Sequence, residues 1–253
     1  MTHLRQRVLQ TIKNNKEGKH TKLSLHEKFL ESLPDELFEL THLTHLELAF
    51  NQLNALPEQL ASLQNLTHLE LRGNPITDFS GLANLPNLLD LDLIETGLTS
   101  IPTQLFNLPN LRALWLGSNN LTDFPVKLAT IKSLRVLSIH DQTIKLPATF
   151  KGFEQLETFE LSDCQLQTIP PCIADLTALK GLYLGYNNLS SLPESIGRLT
   201  KLEKLDLTDN NLQTVPTSIG KLIHLKRLEV THNPLTQDAI RWLNHQPFTT
   251  IGF

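Results

Sequence analysis

The chain has 253 residues, 40% of them hydrophobic and 19% charged, with a formal net charge of −4. That balance gives no overall attraction for nucleic-acid phosphates or anionic membrane surfaces, so neither is expected as a partner. Polar residues separate the leucines throughout, and no apolar run approaches the roughly eighteen residues of a membrane span.

In chain order, the first expected element is a helix over residues 2–15. Leu4, Val8, Leu9 and Ile12 fall on one side of it, and Asn14, Asn15 and Gly18 would stop it. The opening stretch has no continuous apolar core of the kind a secretory signal needs, so a cytoplasmic product is expected. A motif then recurs. "LTHLELAFNQLNALP" starts at Leu43, and related copies start at Leu66, Leu88, Leu111, Leu134, Leu156, Leu179, Leu202 and Leu225. Successive starts lie 23 residues apart, except for 22-residue steps from Leu66 and from Leu134. A worn copy, "HTKLSLHEKFLESLP", precedes them from His20. Self-similarity at such a period marks a solenoid, because one turn cannot bury its own apolar face and must stack on its neighbours.

In "HLELA" the alternation puts Leu46 and Leu48 on one face of a short strand and His45, Glu47 and Ala49 on the other. Stacked turns bring such strands about 4.8 Å apart into a parallel sheet with the leucines inside. The ninth position, which holds Asn51, Asn74, Thr96, Asn119, Gln142, Cys164, Asn187, Asn210 and Asn233, is expected to turn inward and bond to backbone groups. Prolines recur in register after the strand, at Pro34, Pro57, Pro102, Pro125, Pro147, Pro170, Pro193 and Pro216, and predict short 3₁₀ or irregular outer turns. The repeat from Leu66 has no LP step, and the one from Leu134 has lost a residue from its outer turn. At the end, "TQDAIRWLNHQ" predicts a helix starting at Asp238 with Ile240, Trp242 and Leu243 as its apolar face, Trp242 in the core. "FTTIGF" predicts a last covering strand. The expected organisation is a cap at 1–19, a repeat array at 20–235 and a cap at 236–253.

The pattern L-x-x-L-x-L-x-x-N-x-L resembles the leucine-rich-repeat family of the LP type over nearly the whole chain. The resemblance implies an α/β solenoid curved like a horseshoe, with a concave parallel β-sheet, convex 3₁₀ or irregular turns and short helical caps. Cysteine is an accepted substitute at the ninth position of that signature, which makes Cys164 a structural residue. Cys164 and Cys172 are both expected as reduced thiols. The mixture of 23-residue and internalin-like 22-residue repeats resembles bacterial intracellular or effector-type members. It implies a protein that binds and regulates others, including one delivered into host cells without a signal peptide.

The third, fifth and seventh positions of each repeat are expected on the concave face. Its middle carries Ile94, Ala113, Trp115, Gly117, Val136, Tyr183 and Tyr186, with Arg72, Asp92, His140, Glu160, Asp206 and Arg227 around them. Aromatic anchors inside a charged rim are the anatomy of a protein-binding surface. The expected function is therefore a monomeric, non-enzymatic, cofactor-free module that binds a folded protein. No HExxH, phosphate-binding glycine loop, GxSxG elbow or kinase motif set occurs. The alternative from another class is a metal site built from His45, His68, Glu47 and Glu70 on adjacent strands.

Overall fold

The structure, a computed structural model, describes residues 2–253. The chain forms two compact units, residues 1–119 and 120–253. In the first, helix α1 (Thr2–Gly18) precedes strands β1 (Lys22–Ser24), β2 (His45–Glu47), β3 (His68–Glu70), β4 (Asp90–Asp92) and β5 (Ala113–Trp115). These pair in sequence order, all parallel, with Leu23, Leu46, Leu69, Leu91 and Leu114 in one row. In the second, β6 (Val136–Ser138), β7 (Thr158–Glu160), β8 (Gly181–Tyr183), β9 (Lys204–Asp206) and β10 (Arg227–Glu229) follow the same rule. Helix α2 (Gln237–Asn244) and β11 (Thr250–Gly252) complete it, β11 pairing parallel with β10 as the last covering strand. No helix of the described residues is long and apolar enough to cross a membrane.

Proline sets the outer turns. With φ near −70° and an extended ψ, Pro57 accepts a hydrogen bond at its carbonyl from Leu60 N (3.0 Å), and Leu60 in turn accepts from Leu63 N (3.0 Å). That is one five-residue 3₁₀ turn, with Leu60, Leu63 and Leu66 fully buried beneath it. The same five-residue turn follows Pro34 and Pro102 in the first unit, and Pro125, Pro170, Pro193 and Pro216 in the second, with Pro125 alone of these at a ψ of 72°. Both 22-residue repeats depart from it. The one from Leu66 makes only the short turn Ser80–Leu82, where Gly81 lies so close to the Pro57 carbonyl that a Cβ would collide with it. After Pro147 there is no 3₁₀ turn, and Phe124, Phe150, Phe153 and Phe159 fill the space with edge-to-face contacts at 5.3–5.8 Å.

Buried amides close the turns. Asn187 Nδ2 donates to Leu161 O (2.8 Å), Leu184 O (2.9 Å) and Gly185 O (3.1 Å), while its Oδ1 accepts from Cys164 N and Leu166 N (both 3.0 Å). Asn51, Asn74, Asn119 and Asn210 are buried with similar sets, and Asn233 is half-buried. Cys164 is 1% exposed and donates its thiol to Ile139 O (2.8 Å). Burial pushes that thiol's pKa up to about 12, which leaves no thiolate for nucleophilic chemistry near neutral pH.

The ends differ from the sequence expectation. Helix α1 runs on to Gly18 because Asn15 points inward, donating to Lys22 O (2.8 Å) and meeting His42 Nε2 (3.1 Å). Helix α2 is capped by Thr236, whose Oγ1 accepts from Ala239 N, so Asp238 lies in the first turn. Ala239 and Leu243 carry its burial. Trp242 is only half-buried, its ring edge beside Gly220 together with the Gln246 side chain.

Candidate functional site

Each strand is three residues long, so the alternation of faces holds for the third to fifth positions and then stops. The chain turns inward at the seventh position, and short residues there are covered. Ala49 is 0% exposed and Ile94 is 6% exposed, which corrects the expectation that both look outward and removes Ile94 from the binding face. The cause is local. The Ile94 amide donates back to Asp92 Oδ1 (2.8 Å), and Glu95 then takes the left-handed conformation, φ 56°. Gly117 and Gly185 are buried at the same position, and Ala113 on β5 is only 9% exposed. The apolar patch is therefore smaller than its residue types imply.

The eighth position is left-handed in every repeat. Phe50, Glu95 and Ser118 in the first unit, and Asp141, Asp163, Tyr186, Asp209 and His232 in the second, all have φ between 51° and 57°. A non-glycine residue there costs roughly 1–2 kcal/mol. The amides this geometry aims at the next repeat help offset the cost, as Phe50 N does to Arg72 O (2.7 Å) and Tyr186 N to Thr208 O (2.8 Å). It also turns the side chain outward: Tyr186 is 61% and Phe50 42% exposed. No residue-type rule marks this position, and Phe50 is a surface aromatic that pattern reading overlooks.

On the first unit's open face the rows Lys22, His45, His68, Asp90 and Ser24, Glu47, Glu70, Asp92, Trp115 stand side by side. Trp115 is half-buried and donates Nε1 to Asp90 Oδ1 (3.0 Å). Arg72 lies over the Phe50 ring (5.6 Å) and points Nη2 at Glu95 (3.5 Å). His45, Leu46, Glu47, His68, Leu69, Glu70, Asp90, Asp92 and Trp115 line a cavity of about 230 Å³. Burial raises the Glu70 carboxyl above its ordinary pKa, helped by Asp92 and Glu47 nearby.

The four candidate metal ligands do not converge. The His45 and His68 rings stack face to face, 4.1 Å between centroids and 5° from parallel. A ligating nitrogen's lone pair lies in its ring plane, and two nearly parallel planes this far apart do not meet on one ion. Each Nδ1 sits 2.8 Å from the hydroxyl of the preceding Thr44 or Thr67, and those hydroxyls donate to Thr21 O and Thr44 O. A hydroxyl has one proton, so each Nδ1 is the donor in these pairs. Among the described residues no group of three or more His, Cys, Asp or Glu is placed to hold a metal ion.

Burial lowers the His45 pKa, with further lowering by His68 and Lys22. In the window below about 6.5 the unfolded chain then binds more protons at this residue than the folded one. The His45 contribution to stability is therefore present above that value and is lost on acidification through the lowered folded pKa. In an NMR titration His45 is expected to titrate below the ordinary value and to move upward in His68→Gln. An unshifted midpoint in both proteins would refute the coupling.

On the second unit's open face Ser138 is fully buried, donating to Glu160 Oε2 (2.7 Å) and lying 2.8 Å from His140 Nδ1. Its single proton goes to the carboxylate, so the imidazole donates to Ser138 Oγ. This chain orients His140 and makes Ser138 a structural hub, one that pattern reading missed. Glu160, Tyr183 and Asp206 stand in one row. Tyr183 is half-buried and folds over Gly181, where a Cβ would come within 3.1 Å of its ring. Val136 is half-buried, Asp206 Oδ1 accepts from Thr208 N (2.9 Å), and exposed Arg227 pairs with Glu229 (2.6 Å).

Two family models match, one described as a leucine-rich repeat region over residues 134–245 and one as a leucine rich repeat over residues 21–76. No curated protein matches significantly. Among solved structures, a leucine-rich-repeat protein of Leptospira interrogans is 33% identical, with a TM-score of 0.81 over 91% of this chain and 60% of that one. This chain thus spans about three fifths of that protein's length. An internalin of Listeria monocytogenes, 20% identical, shares the fold with a TM-score of 0.66 over 92% of this chain and 80% of its own. The Arabidopsis receptor kinase HAESA, solved with the peptide hormone IDA and the co-receptor SERK1, is 27% identical, with a TM-score of 0.65 over 84% of this chain and 38% of its own. The strand-and-3₁₀ repeat, the inward asparagines and these likenesses agree, and the chain belongs to the leucine-rich-repeat family.

Proposed function

We propose that this chain is a non-enzymatic interaction module that holds a folded protein partner on the open faces of its strands. Leucine-rich repeats commonly serve as protein-interaction modules, and HAESA, solved with a peptide hormone and a co-receptor, supports the reading by likeness. The observation that carries it is the row of outward side chains around Trp115 in the first unit and Tyr183 in the second. Half-buried aromatics held by a hydrogen bond or a neighbouring glycine have little rotamer freedom left to lose on binding. Arg72 and Asp92 in the first unit, and Val136, His140, Glu160, Tyr186, Asp206 and Arg227 in the second, surround them.

Replacing Trp115 and Tyr183 with alanine is expected to leave folding intact and to weaken binding by about 2 kcal/mol, the hot-spot scale. The check is capture from bacterial and host-cell lysates with wild type beside the variant, then titration of the captured protein. Equal affinity for a folded variant would reject these faces. The reading extends to a monomeric cytoplasmic protein of bacterial type, acting as an effector in host cells or regulating another effector. Likeness to a leucine-rich-repeat protein of Leptospira supports the bacterial type alone. A translocation reporter that never leaves the producing cell would reject delivery, and a solution mass of twice 28.6 kDa would reject the monomer.

A further inference from the structure

We propose that the cavity on the first unit's open face receives one arginine side chain of the protein partner, so that the partner docks there through a basic segment. The inference rests on reading this face as a docking surface, and it names the chemistry of what docks. Glu47, Glu70 and Asp92 occupy one row on three adjacent strands, with Asp90 in the next row. Like charges side by side across strands are destabilising, so folding alone does not favour this arrangement. The nearby cations Arg72 and His26 relieve it only in part: Arg72 is turned toward Glu95 and the Phe50 ring, and burial with Asp92 and Glu47 still raises the Glu70 carboxyl. Among the described residues, no protein group donates to the side chain of Glu47 or Glu70. Lys22 stands at the far edge of the row, beside His45.

Charge complementarity calls for a cation, and the walls say which. The Trp115 indole, fixed by Asp90, and the stacked pair of imidazoles line a space of about 230 Å³, the scale of one long side chain. A guanidinium is planar, stacks on such faces and forks onto carboxylates with paired N–H donors. An ammonium is a point charge that pairs with the carboxylates and is drawn to the indole face, but it neither stacks flat nor forks onto two carboxylate oxygens.

The test follows the Trp115 indole N–H by NMR while a terminally blocked Gly-Arg-Gly tripeptide is added, with the Trp242 indole as internal reference. The expected result is a saturable shift of Trp115 alone. Binding should be at least tenfold weaker for the citrulline analogue, which keeps the shape without the charge, and weaker for the lysine analogue. Glu70→Gln and, separately, Glu47→Gln should each weaken arginine binding severalfold, with unchanged circular dichroism confirming their fold. No Trp115 shift, equal binding of the citrulline or lysine analogue, or preferential binding of Gly-Glu-Gly would each overturn the assignment. If the arginine tripeptide fails while Trp115→Ala still weakens the captured partner, the docking face stands and only the arginine assignment falls. If both fail, the docking reading falls with it.

Discussion

Asn187→Leu is expected to lower the stability of the second unit by about 4 kcal/mol, although the two side chains are close in size. The Asn187 carboxamide makes five hydrogen bonds to backbone groups of its own and the preceding repeat. Leucine supplies none. Cys164 N and Leu166 N would be left buried without their acceptor, and a stranded buried group costs about 1–3 kcal/mol. The carbonyls of Leu161 and Leu184 lose donors as well. Urea unfolding measures the total, and amide exchange at Cys164 and Leu166 locates it, because a repeat array opens in local units. A change below about 1 kcal/mol would mean the turn rearranges to satisfy itself, and the asparagine ladder would then be a minor stabiliser.

Phe159→Ala should cost a similar amount, about 3–5 kcal/mol, for a different reason. Phe159 stands where the other repeats carry leucine and is fully buried, edge-to-face with Phe124 (5.8 Å) and Phe150 (5.7 Å). The repeat beside it lacks the outer 3₁₀ turn, and the rings occupy the space that turn would fill. Truncation leaves a cavity that a close-packed solenoid collapses only in part. Phe159→Leu, which restores the common residue of the repeat, should still lose about 1 kcal/mol because the missing turn is not restored with it. If the leucine variant melts like wild type, the four-ring cluster is not what compensates for the short repeat.

Much of this architecture was legible in the residues alone. The 22- and 23-residue steps set the strand at each L-x-L, the proline register set the outer turns, and the ninth-position amides set the inward ladder, because each is a local rule repeated many times. The two short repeats were recognisable as exceptions, and both lack the full 3₁₀ turn. The ends were read less well. Asp238 is a plausible cap by type, yet Thr236 holds the position, and Trp242 is half-buried where the pattern predicts a core residue.

The open face divides the two levels of information most clearly. Sequence alone determined which residues belong to the strands and that His45, His68, Glu47, Glu70 and Trp115 in the first unit, and Tyr183 in the second, lie on the outward side of their strands, since a period of two within three residues leaves no choice. Tertiary structure decided what those residues have become. It buried Ile94 and Ala49 by turning the chain inward after only three residues, and it exposed Phe50 and Tyr186 by fixing a left-handed φ that serves the next repeat's carbonyl. It also stacked the His45 and His68 rings in parallel, which removes the shared ion and leaves a cluster of carboxylates beside Trp115. The ring stack and the left-handed turns depend on contacts between residues more than twenty positions apart, and no short window of sequence contains both partners.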